Sequence, residues 1–561
     1  MGVGVQSSTV TAQLMVETTR FCVAGDLERA IVTKRKHLDT LAQHGEVAAA
    51  ERRVAVIDMG SNSFRLIVIA YVPGLYFKVV DEIREVVRLS EGMAETGVIC
   101  GPAIERAMRA AHIYAAFCRA SGISDIVAVG TSALRDGKNA DSLLTRMKVE
   151  TDLDVRVLTG EEEAFYGYLA AVNSTNLNDG FVFDLGGGSV QIIRVKQRQI
   201  DQSISFPLGA VRMSEAFLSD DPPRNKDIEH LQDHLQEHFG SLKWYKRGKG
   251  KRLIGVGGML RQMARLGEEM SDYPIEDPQG YILTRNQMDD ICKKLADMDI
   301  AGRKKMRGMK ADRADIALGG ALIIREVMRA GGFDELEVCS QSLREGLFYE
   351  RFLGTPPLFE DVRQASVFNL ANLYRYQEQH ARHIAHLTLS MFDQLREKYD
   401  FDDVERELLW AASILHDIGV TVDYNDHHKH GAYLILYTGL AGYTHREIAL
   451  IALLIRYHRK GNPTPDELGS VLEEGDKQLL TQLSALLRLA EFLDRARDGV
   501  VKDIQLTVGS TRAQMELQMT GDEKVALWSA EQHRGLFEQA FGLELQLVAV
   551  PANSLGNKSH G

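Results

Sequence analysis

The stretch that decides the fold reads Gly180-Phe-Val-Phe-Asp184-Leu-Gly186-Gly187-Gly188-Ser189-Val-Gln-Ile-Ile-Arg-Val195. Two short apolar runs enclose an aspartate, three glycines and a serine, and such runs are typical of buried strands. The glycines permit a tight turn and let a ligand approach the backbone, whose successive amides can bind an anion. Asp184, at the end of the first strand, could hold a divalent cation through a carboxylate oxygen. The pattern predicts a hairpin that binds a metal-bound phosphate, with an ordinary glycine-rich hairpin as the alternative.

The same pattern occurs earlier in the chain, as Val54-Ala-Val-Ile-Asp58-Met-Gly60-Ser61-Asn62-Ser63-Phe-Arg65-Leu-Ile-Val-Ile69. A third segment, Leu253-Ile-Gly255-Val-Gly257-Gly258-Met-Leu260, predicts a strand, a glycine turn and a helix. Two Asp-Gly hairpins followed by a Gly-Gly turn resemble the actin, Hsp70 and sugar-kinase superfamily. The resemblance implies two related lobes that face each other and hold phosphates across the cleft between them.

Size and composition narrow the class of protein. The chain has 561 residues and a formal net charge of −12, so several domains are expected and a generic nucleic-acid binder is excluded. None of the five cysteines forms a Cys-x-x-Cys pair, which indicates reduced thiols. No apolar run approaches the length of a membrane span, and no basic region followed by an apolar segment opens the chain. We therefore expect a cytoplasmic protein that binds neither membranes nor a specific nucleic acid.

Two further predicted strands end in charged residues. The strand at 126–129 runs into a polar turn, where Arg135 could bind a phosphate through its guanidinium group or form an ion pair with Asp136. The strand at 155–158 precedes Thr159, a plausible helix cap, and three successive glutamates. Acidic residues suit the first turn of a helix. Alternatively, one of the glutamates lies at the mouth of the cleft as a metal ligand or a base for water.

Eight segments, taken in order, resemble the exopolyphosphatase and guanosine pentaphosphate phosphatase family. They span residues 54 to about 350 and form a specific set together, although no single one would be specific. The segments are Val56-Ile-Asp58-Met-Gly-Ser-Asn62-Ser, Gly130-Thr-Ser-Ala-Leu-Arg135, Gly160-Glu-Glu162-Glu163-Ala, Asp184-Leu-Gly-Gly-Gly188-Ser189, Pro207-Leu-Gly209-Ala-Val-Arg212, Gly255-Val-Gly-Gly258, Arg313-Ala-Asp315-Ile and Leu343-Arg344-Glu-Gly346.

The resemblance implies roles for individual residues. Glu162 would orient or deprotonate the attacking water, with the adjacent Glu163 as the alternative. Asp184 would help to hold Mg²⁺, and because the chain has no Walker lysine, amide turns, the metal and Arg135 would supply the positive field. The predicted catalytic residues are Glu162, Glu163 and Arg135, and the predicted metal ligands are Asp184, Glu162 and Asp58. The predicted phosphate-binding residues are Asp58, Ser61, Asn62, Ser63, Gly186, Gly187, Gly188, Ser189, Gly257 and Gly258.

Two basic runs occur in the second lobe, Lys243–Arg252 and Arg303–Lys310. Most charge runs are solvated surface, and this is the simpler interpretation here. The alternative is a track that attracts a polyanion to an otherwise acidic protein.

The segment Thr355-Pro356-Pro357 predicts a boundary, and helical patterns dominate after it. The histidines and aspartates of this part resemble the HD superfamily of metal-dependent phosphohydrolases. That resemblance implies His380, His416, Asp417 and Asp494 as ligands of a divalent metal. The alternative, which the sequence favours, is a helical scaffold whose histidines are core or surface groups. After residue 500, alternating segments at 504–508 and 543–550 predict strands of a small terminal unit.

We expect a two-lobed actin-like α/β fold (ASKHA, a duplicated ribonuclease-H-like architecture), an all-α HD-like domain and a small α/β terminal domain. The expected boundaries are 1–50 for an N-terminal extension, which includes a charged helix at 26–44, then 51–172 and 173–355 for the lobes, 356–500 for the HD-like domain and 501–561 for the terminal domain. The expected activity is hydrolysis of the terminal phosphoryl group of inorganic polyphosphate with Mg²⁺ or Mn²⁺, by a homodimer. The alternatives are a guanosine pentaphosphate 5′-phosphohydrolase and a nucleotide-binding actin-like switch protein.

Overall fold

Each of the two predicted hairpins lies within its own β-sheet. The computed structural model describes residues 50–248 and 250–552. The predicted N-terminal extension therefore lies outside the described residues except for Ala50, and so does its charged helix at 26–44. The strands are β1 (Arg52–Met59), β2 (Ser63–Val72), β3 (Tyr76–Val86), β4 (Ile126–Gly130), β5 (Val155–Val157), β6 (Gly180–Leu185), β7 (Val190–Lys196), β8 (Gln199–Phe206), β9 (Arg252–Val256), β10 (Ile282–Thr284), β11 (Glu335–Cys339), β12 (Val501–Val508), β13 (Arg512–Met519) and β14 (Glu544–Pro551).

Helices cover the sheets and form most of the chain after residue 360. The helices of the first part are α1 (Met93–Thr96), α2 (Gly101–Ala120), α3 (Ser132–Asp136), α4 (Ala140–Thr151), α5 (Gly160–Val172), α6 (Ala210–Phe217), α7 (Asn225–Gly240), α8 (Gly258–Ser271), α9 (Arg285–Ala296), α10 (Ile300–Arg303), α11 (Ala317–Gly331) and α12 (Leu343–Leu353). Those of the second part are α13 (Val362–Leu373), α14 (Glu378–Tyr399), α15 (Asp403–Leu415), α16 (His427–Thr438), α17 (His445–Tyr457), α18 (Asp476–Leu493), α19 (Lys524–His533) and α20 (Gly535–Phe541). Short 3-10 helices cover Tyr245–Arg247, Ala311–Arg313, Ile418–Thr421 and Asp466–Val471.

The two large sheets share a five-strand topology, to which the second sheet adds β10, antiparallel to β11, at one edge. The first has the strand order β3-β2-β1-β4-β5 and the second β10-β11-β9-β6-β7-β8. In each, three antiparallel strands continue into parallel strands: β1 pairs with β4, and β6 with β9. Asp58 lies opposite Val129 in the first parallel pair, and Asp184 lies opposite Val256 in the second. The sequence repeat is therefore a structural repeat, and the prediction of a duplicated two-lobed α/β fold is confirmed.

The equivalent strands bring the functional segments to one edge of each sheet. Strands β1, β4, β6 and β9 all end at the edge where their glycine turns follow, and ligands of open α/β sheets bind beyond the carboxyl ends of the strands. One buried apolar cluster joins the lobes behind this edge. It packs Val56 of β1 and Val182 of β6 against Leu169 of α5 and Leu347 of α12. Burial on both faces explains why the central strands read as continuous apolar runs.

The helical part and the last three strands share one hydrophobic core. It extends from Val367 on α13 through α14–α18 to Met515 on β13 and Leu545 on β14. The predicted strands at 504–508 and 543–550 are found as β12 and β14, and β13, which was not predicted, lies between them in the sheet. Asn369 of α13 joins this part to the first lobe, because it accepts from and donates to the backbone of Phe77. The boundaries at 172/173, 355/356 and 500/501 stay predictions.

Among the helices of the described residues, none combines the length and apolarity needed to cross a bilayer.

Candidate active site

The turns of the two hairpins meet across the cleft. The Gly187 backbone lies so close to the first turn that a Cβ there would be 3.3 Å from the Asn62 amide nitrogen. A Cβ on Gly188 would be 2.4 Å from Oγ of Ser132, which in turn is hydrogen-bonded to Oγ of Ser61 at 2.7 Å. Side chains at these glycines would force the turns apart, so the glycine run is needed for close approach between the lobes.

A cavity of about 140 Å³ lies between the turns. Most of the predicted phosphate-binding residues line it, and these are Asp58, Ser61, Asn62, Ser63, Gly186, Gly187, Gly257 and Gly258. Gly188 and Ser189 lie behind the lining, since Gly188 packs against Ser132 and Ser189 Oγ donates to Glu163 at 3.1 Å. Gly257 has φ +114°, and a Cβ there would be 2.5 Å from the Leu185 carbonyl oxygen, so this turn also requires glycine.

Two buried aspartates face the cavity from equivalent strand ends. Burial, together with the nearby Glu163 and Asp58 carboxylates and against the lowering effect of Arg261, raises the pKa of Asp184 to about 7. Burial also raises the pKa of Asp58 against the lowering effect of Arg344 and Arg65. Gly167 on α5 leaves room for Asp184, because a Cβ there would be 2.7 Å from Oδ2. A cation in the cavity would favour the charged form of both carboxylates.

The two adjacent glutamates of α5 lie in different environments. Glu163 is buried beside the cavity, and its carboxylate accepts hydrogen bonds from Arg135 Nη1 at 3.0 Å and Ser189 Oγ at 3.1 Å. Burial raises the pKa of Glu163 despite these partners.

Glu162 does not line the cavity. It completes a capping box, in which Glu162 Oε2 accepts from the Thr159 amide at 2.8 Å and the Thr159 hydroxyl accepts from the Glu162 amide. It also pairs with Arg156 at 2.6 Å, with its side chain 39% exposed. Successive residues of a helix point in directions about 100° apart. The assignment of Glu162 as water base and metal ligand therefore does not fit this geometry, and of the two predicted glutamates Glu163 is the one that lies at the cavity.

Arg135 acts on Glu163 rather than on the cavity. Its Nη1 donates to Glu163 and to the Leu158 carbonyl, both at 3.0 Å, while its Nε lies 3.6 Å from Asp136. Arg135 is not part of the cavity lining. Arg135 thus contacts the glutamate beside the cavity, and its contact with phosphate stays a prediction.

The positive charge at the cavity comes from arginines to which the sequence analysis gave no role. Arg65, Arg261 and Arg313 line it. Arg65 lies opposite Asp58 in the β1–β2 register, which is the signal that could have found it. Arg313 stands in the segment Arg313-Ala-Asp315-Ile, one of those that carry the family resemblance, and that was its signal. Arg261 had none, since α8 meets the cavity only in the folded molecule.

A basic groove of about 580 Å³ continues from the cavity and shares Arg65, Gly258, Arg261 and Arg313 with it. Basic side chains outnumber acidic ones along this groove. They are Arg65, Arg84, Arg261, Arg265, Lys310, Arg313 and Arg344, against Glu82, Asp277 and Glu345.

The groove holds its positive charges at an electrostatic cost. Burial and the neighbouring arginines lower the pKa of Arg65 and of Arg313, and they lower the pKa of Lys310 to about 8. The Nε atoms of Arg313 and Arg344 are buried without a hydrogen-bond partner among the described residues. A bound polyanion would offset the repulsion among these positive charges.

The two basic runs lie in different places. Lys310, at the end of the second run, lines the groove. The first run, Lys243–Arg252, leads into the beginning of β9, whereas the cavity lies beyond the end of β9 at Gly257. The two ends of this five-residue strand are about 15 Å apart. The first run therefore lies at the opposite edge of the sheet from the cavity.

The predicted HD-like residues come together in the helical part. His380 Nδ1 lies 2.7 Å from Asp494 Oδ2, and His416 lies beside Asp417 with Nε2 3.8 Å from Oδ2. All four side chains are buried or nearly so.

Comparisons with known proteins agree with this architecture. A model described as the Ppx/GppA phosphatase family matches residues 67–354, and a model of Ppx/GppA phosphatase domain III matches residues 362–532. A guanosine-5′-triphosphate,3′-diphosphate pyrophosphatase of Pseudoalteromonas atlantica is 26% identical over 470 residues, which are 82% of this chain and 90% of that protein.

Two solved structures are similar to about half of the chain. An exopolyphosphatase from Cytophaga hutchinsonii is 27% identical with a TM-score of 0.50, and the match covers 55% of this chain and 100% of that chain. A Ppx/GppA family member from Aquifex aeolicus is 29% identical with a TM-score of 0.47, and the match covers 55% of this chain and 99% of that chain.

Proposed function

The chain belongs to the Ppx/GppA phosphatase family and is a hydrolase, and from this premise we propose that it removes the terminal phosphoryl group of inorganic polyphosphate. The observation that carries the proposal is the basic groove that continues from the carboxylate-lined cavity. A terminal phosphoryl group at the cavity would leave the rest of a long polyanion beside the groove. The arginines there would neutralise charge that a protein of net charge −12 would otherwise repel.

Glu163 is the proposed base. Its carboxylate lies at the cavity, and Arg135 and Ser189 fix its orientation from behind. Because burial raises its pKa, it can take a proton from water more readily than an ordinary glutamate. The proton removed from water would reside on this carboxylate while the phosphoryl group transfers.

The amide turns and the arginines are proposed to hold the transferring group. The backbone of Gly186, Gly187 and Gly258 lines the cavity together with Arg261 and Arg313. Donors fixed before the reaction stabilise charge that develops on phosphoryl oxygens, and this is the main protein contribution in phosphoryl transfer.

Asp58 and Asp184 fit a divalent cation. Both are buried carboxylates, and burial raises the pKa of each, so a cation bound beside them would favour their charged forms. Hard oxygen donors suit Mg²⁺ or Mn²⁺, which are commonly held by one or two carboxylates together with substrate phosphates. When bound, such a cation supplies charge neutralisation at the phosphate oxygens.

A second candidate substrate is guanosine pentaphosphate, with loss of its 5′ γ-phosphate. The similarity to a guanosine-5′-triphosphate,3′-diphosphate pyrophosphatase over most of both chains favours it. The same cavity would bind the terminal phosphate in either case.

The fold of the helical part, the cellular location and the oligomeric state complete the proposal. We propose an HD-like fold for the helical part, supported by the clustering of its histidines. Action in the cytoplasm is supported by Cys100, Cys118, Cys292 and Cys339, which are unpaired thiols. A homodimer is consistent with the exposed, stacked Tyr433 and Tyr437 on α16, whose ring centroids are 5.3 Å apart, and sedimentation would test it.

The test is phosphate release by the full chain from long polyphosphate, tripolyphosphate and guanosine pentaphosphate, measured side by side with Mg²⁺. We expect the highest kcat/KM on long polyphosphate. A tenfold higher value on guanosine pentaphosphate would establish the second candidate instead. Release from none of the three by a folded protein would refute both.

A further inference from the structure

A buried glutamine lies behind Glu163, on the hairpin of the second lobe. Gln191 stands on β7, opposite Asp184 of β6 and opposite Ser205 of β8 in the strand register. Residues directly opposite each other in antiparallel strands have neighbouring side chains on the same face of the sheet. Ser189 comes two residues earlier, just before β7 begins. The sheet therefore holds the Gln191 side chain in a row that includes a carboxylate of the cleft.

The amide of Gln191 makes its hydrogen bonds through one end. Its Nε2 donates to Ser189 Oγ and to Ser205 Oγ, both at 3.1 Å. The side chain is 1% exposed, and its Oε1 has no hydrogen-bond partner among the described residues. A buried unpaired amide oxygen is costly, and an apolar side chain of the same size would avoid this cost. The benefit of the amide must therefore come from the hydroxyl groups to which Nε2 donates.

The direction of these hydrogen bonds follows from the carboxylate at their end. Ser189 Oγ lies 3.1 Å from Glu163 Oε1, and an ionised carboxylate can only accept. The single hydroxyl proton of Ser189 must therefore point to Glu163, which leaves the lone pairs of Ser189 for Gln191. Only the amino end of an amide can donate to these lone pairs. Gln191 thereby keeps the Ser189 hydroxyl from turning away from Glu163.

The two oxygens of Glu163 are held by separate donors. Arg135 Nη1 donates to Oε2 at 3.0 Å, whereas Ser189 Oγ donates to Oε1. Each oxygen of a carboxylate has two lone pairs, so one on each oxygen remains free to take a proton. Because Glu163 lines the cavity, water in the cavity can supply that proton.

We propose that Gln191 is a positioning residue for the reaction in the cleft, because it holds the Ser189 hydroxyl as a donor to Glu163. This inference rests on the assignment of Glu163 as the base. Gln191 does not line the cavity and acts on the base only through Ser189.

The groups around Glu163 give the direction of the effect. Burial raises the pKa of Glu163, Arg135 and the Ser189 hydroxyl lower it, and the Asp58 carboxylate raises it. A hydroxyl that turned away would no longer lower this pKa, so loss of the amide should move the pKa of Glu163 upward. A hydrogen bond to a charged group corresponds to a shift of roughly one pH unit.

The test replaces Gln191 by methionine, which has a similar shape but no amino group. The dependence of kcat/KM on pH is measured from pH 5.5 to 8.5 for the most active of the three substrates, with saturating Mg²⁺ so that Asp184 stays ionised. We expect the acidic limb to move up by about half to one pH unit. We also expect Tm to be maintained, because the unpaired Oε1 is removed as well. Gln202→Met is the matched control, since it makes the same replacement at an exposed glutamine of β8, and it should leave the limb in place.

A double variant tests whether Gln191 acts through Ser189. Ser189→Ala should move the limb upward by itself, and adding Gln191→Met should move it no further, because both changes remove the same hydrogen bond. Additive shifts would overturn the proposal. If Gln191→Met does not fold, Gln191→Glu takes its place. A glutamate keeps the shape of the side chain but can only accept, so it takes the Ser189 proton from Glu163 and should move the limb in the same direction.

Infrared difference spectra separate this inference from the proposed function. The carboxyl signal that Glu163→Gln removes gives the titration of Glu163 without turnover, both in the unaltered protein and in Gln191→Met. We expect the titration to shift upward together with the limb. Full activity of Glu163→Gln would refute the base and the positioning role with it. If Glu163→Gln is inactive but neither the titration nor the limb moves in a folded Gln191 variant, only the positioning role is overturned.

Discussion

Glu162 and Glu163 show how one position along a helix separates a structural role from a chemical one. Glu162 stands at the third residue of α5, where its carboxylate caps the Thr159 amide. Glu163 points instead to the cavity, against Arg135 and Ser189. Burial keeps a proton acceptor of raised pKa at the cavity, while the exposed neighbour stabilises the helix that carries it.

The first prediction compares the replacement of each of the two glutamates by glutamine. Glu163→Gln removes the proposed base and should lower kcat by about 10²–10⁴-fold. Glu162→Gln should leave kcat within about twofold and reduce stability by about 1 kcal/mol or less, because only part of a capping box is weakened. Steady-state kinetics and thermal unfolding of both variants check this. Loss of turnover in Glu162→Gln alone would reverse the assignment.

The second prediction concerns Asp184, whose pKa of about 7 lies above its ordinary value of 3.8. Below pH 7 a cation must displace the proton, so the apparent affinity for Mg²⁺ should fall about tenfold per pH unit, and it should be constant above pH 7. Activity titrated with Mg²⁺ from pH 5.5 to 8.5 measures this.

The same pKa fixes the sign of a stability effect. The unfolded chain ionises Asp184 near pH 3.8 and the folded chain near pH 7, so the unfolded state binds fewer protons between these values. This residue should therefore make the metal-free protein less stable as pH rises from about 4 to about 7, with no further change above. Asp184→Asn should remove this contribution, and equal pH dependence of Tm in both proteins would contradict the assignment.

At the scale of elements, the repeated hairpin works only because its two copies touch. Strand pairing places Asp58 and Asp184 at equivalent ends, and the turns that follow approach within van der Waals distance at Gly187 and Gly188. The site is thus formed between the turns of the two hairpins, since a single hairpin could enclose a phosphate on one side only.

The third prediction tests this approach through Gly188→Ala. The added Cβ would lie 2.4 Å from Ser132 Oγ and 2.9 Å from Ser61 Oγ, and overpacking of this kind costs about 1–3 kcal/mol. We expect kcat/KM to fall at least tenfold as the turns separate. Adding Ser132→Ala removes the closest clash and should recover part of the loss. If the single variant retains full activity, close approach is not required.

At the scale of the whole molecule, the charge distribution departs from the net charge. A chain of charge −12 concentrates seven basic side chains along one groove, from β2, β3, α8, α12 and the segment before α11. The fold holds these side chains close together despite their mutual repulsion. The groove therefore has a positive electrostatic potential that attracts a polyanion. The dense run at Lys243–Arg252 contributes nothing to the lining of this groove.

The fourth prediction separates the groove from the other basic run. Arg265→Ala with Lys310→Ala should raise KM for long polyphosphate severalfold more than for tripolyphosphate, and should flatten the dependence of KM on salt, because fewer counterions are released. Lys243→Ala with Lys246→Ala is the matched control, with two exposed lysines outside the groove, and should leave both quantities unchanged. Equal losses on long and short chains would show that the groove does not bind the polymer.

The sequence by itself determined the fold class and the backbone of the cleft. Paired apolar runs around Asp58 and Asp184 indicated hairpins, and the resemblance of the repeated pattern to the actin-like superfamily implied two like lobes. Their glycines were expected in the turns that follow the strands, because glycine permits a tight turn and interrupts a strand. Such features are local, and the period and residue type of a short segment are sufficient to specify them.

Only the tertiary structure decided which side chains face the site. The rotation of α5 from one residue to the next places Glu163 at the cavity and Glu162 at the surface. Arg135, on α3, contacts Glu163 rather than lining the cavity. Arg261 and Arg313 come from segments about fifty residues apart in sequence. Packing of distant segments around a shared buried space sets these contacts, and no local pattern records which distant residue will lie opposite.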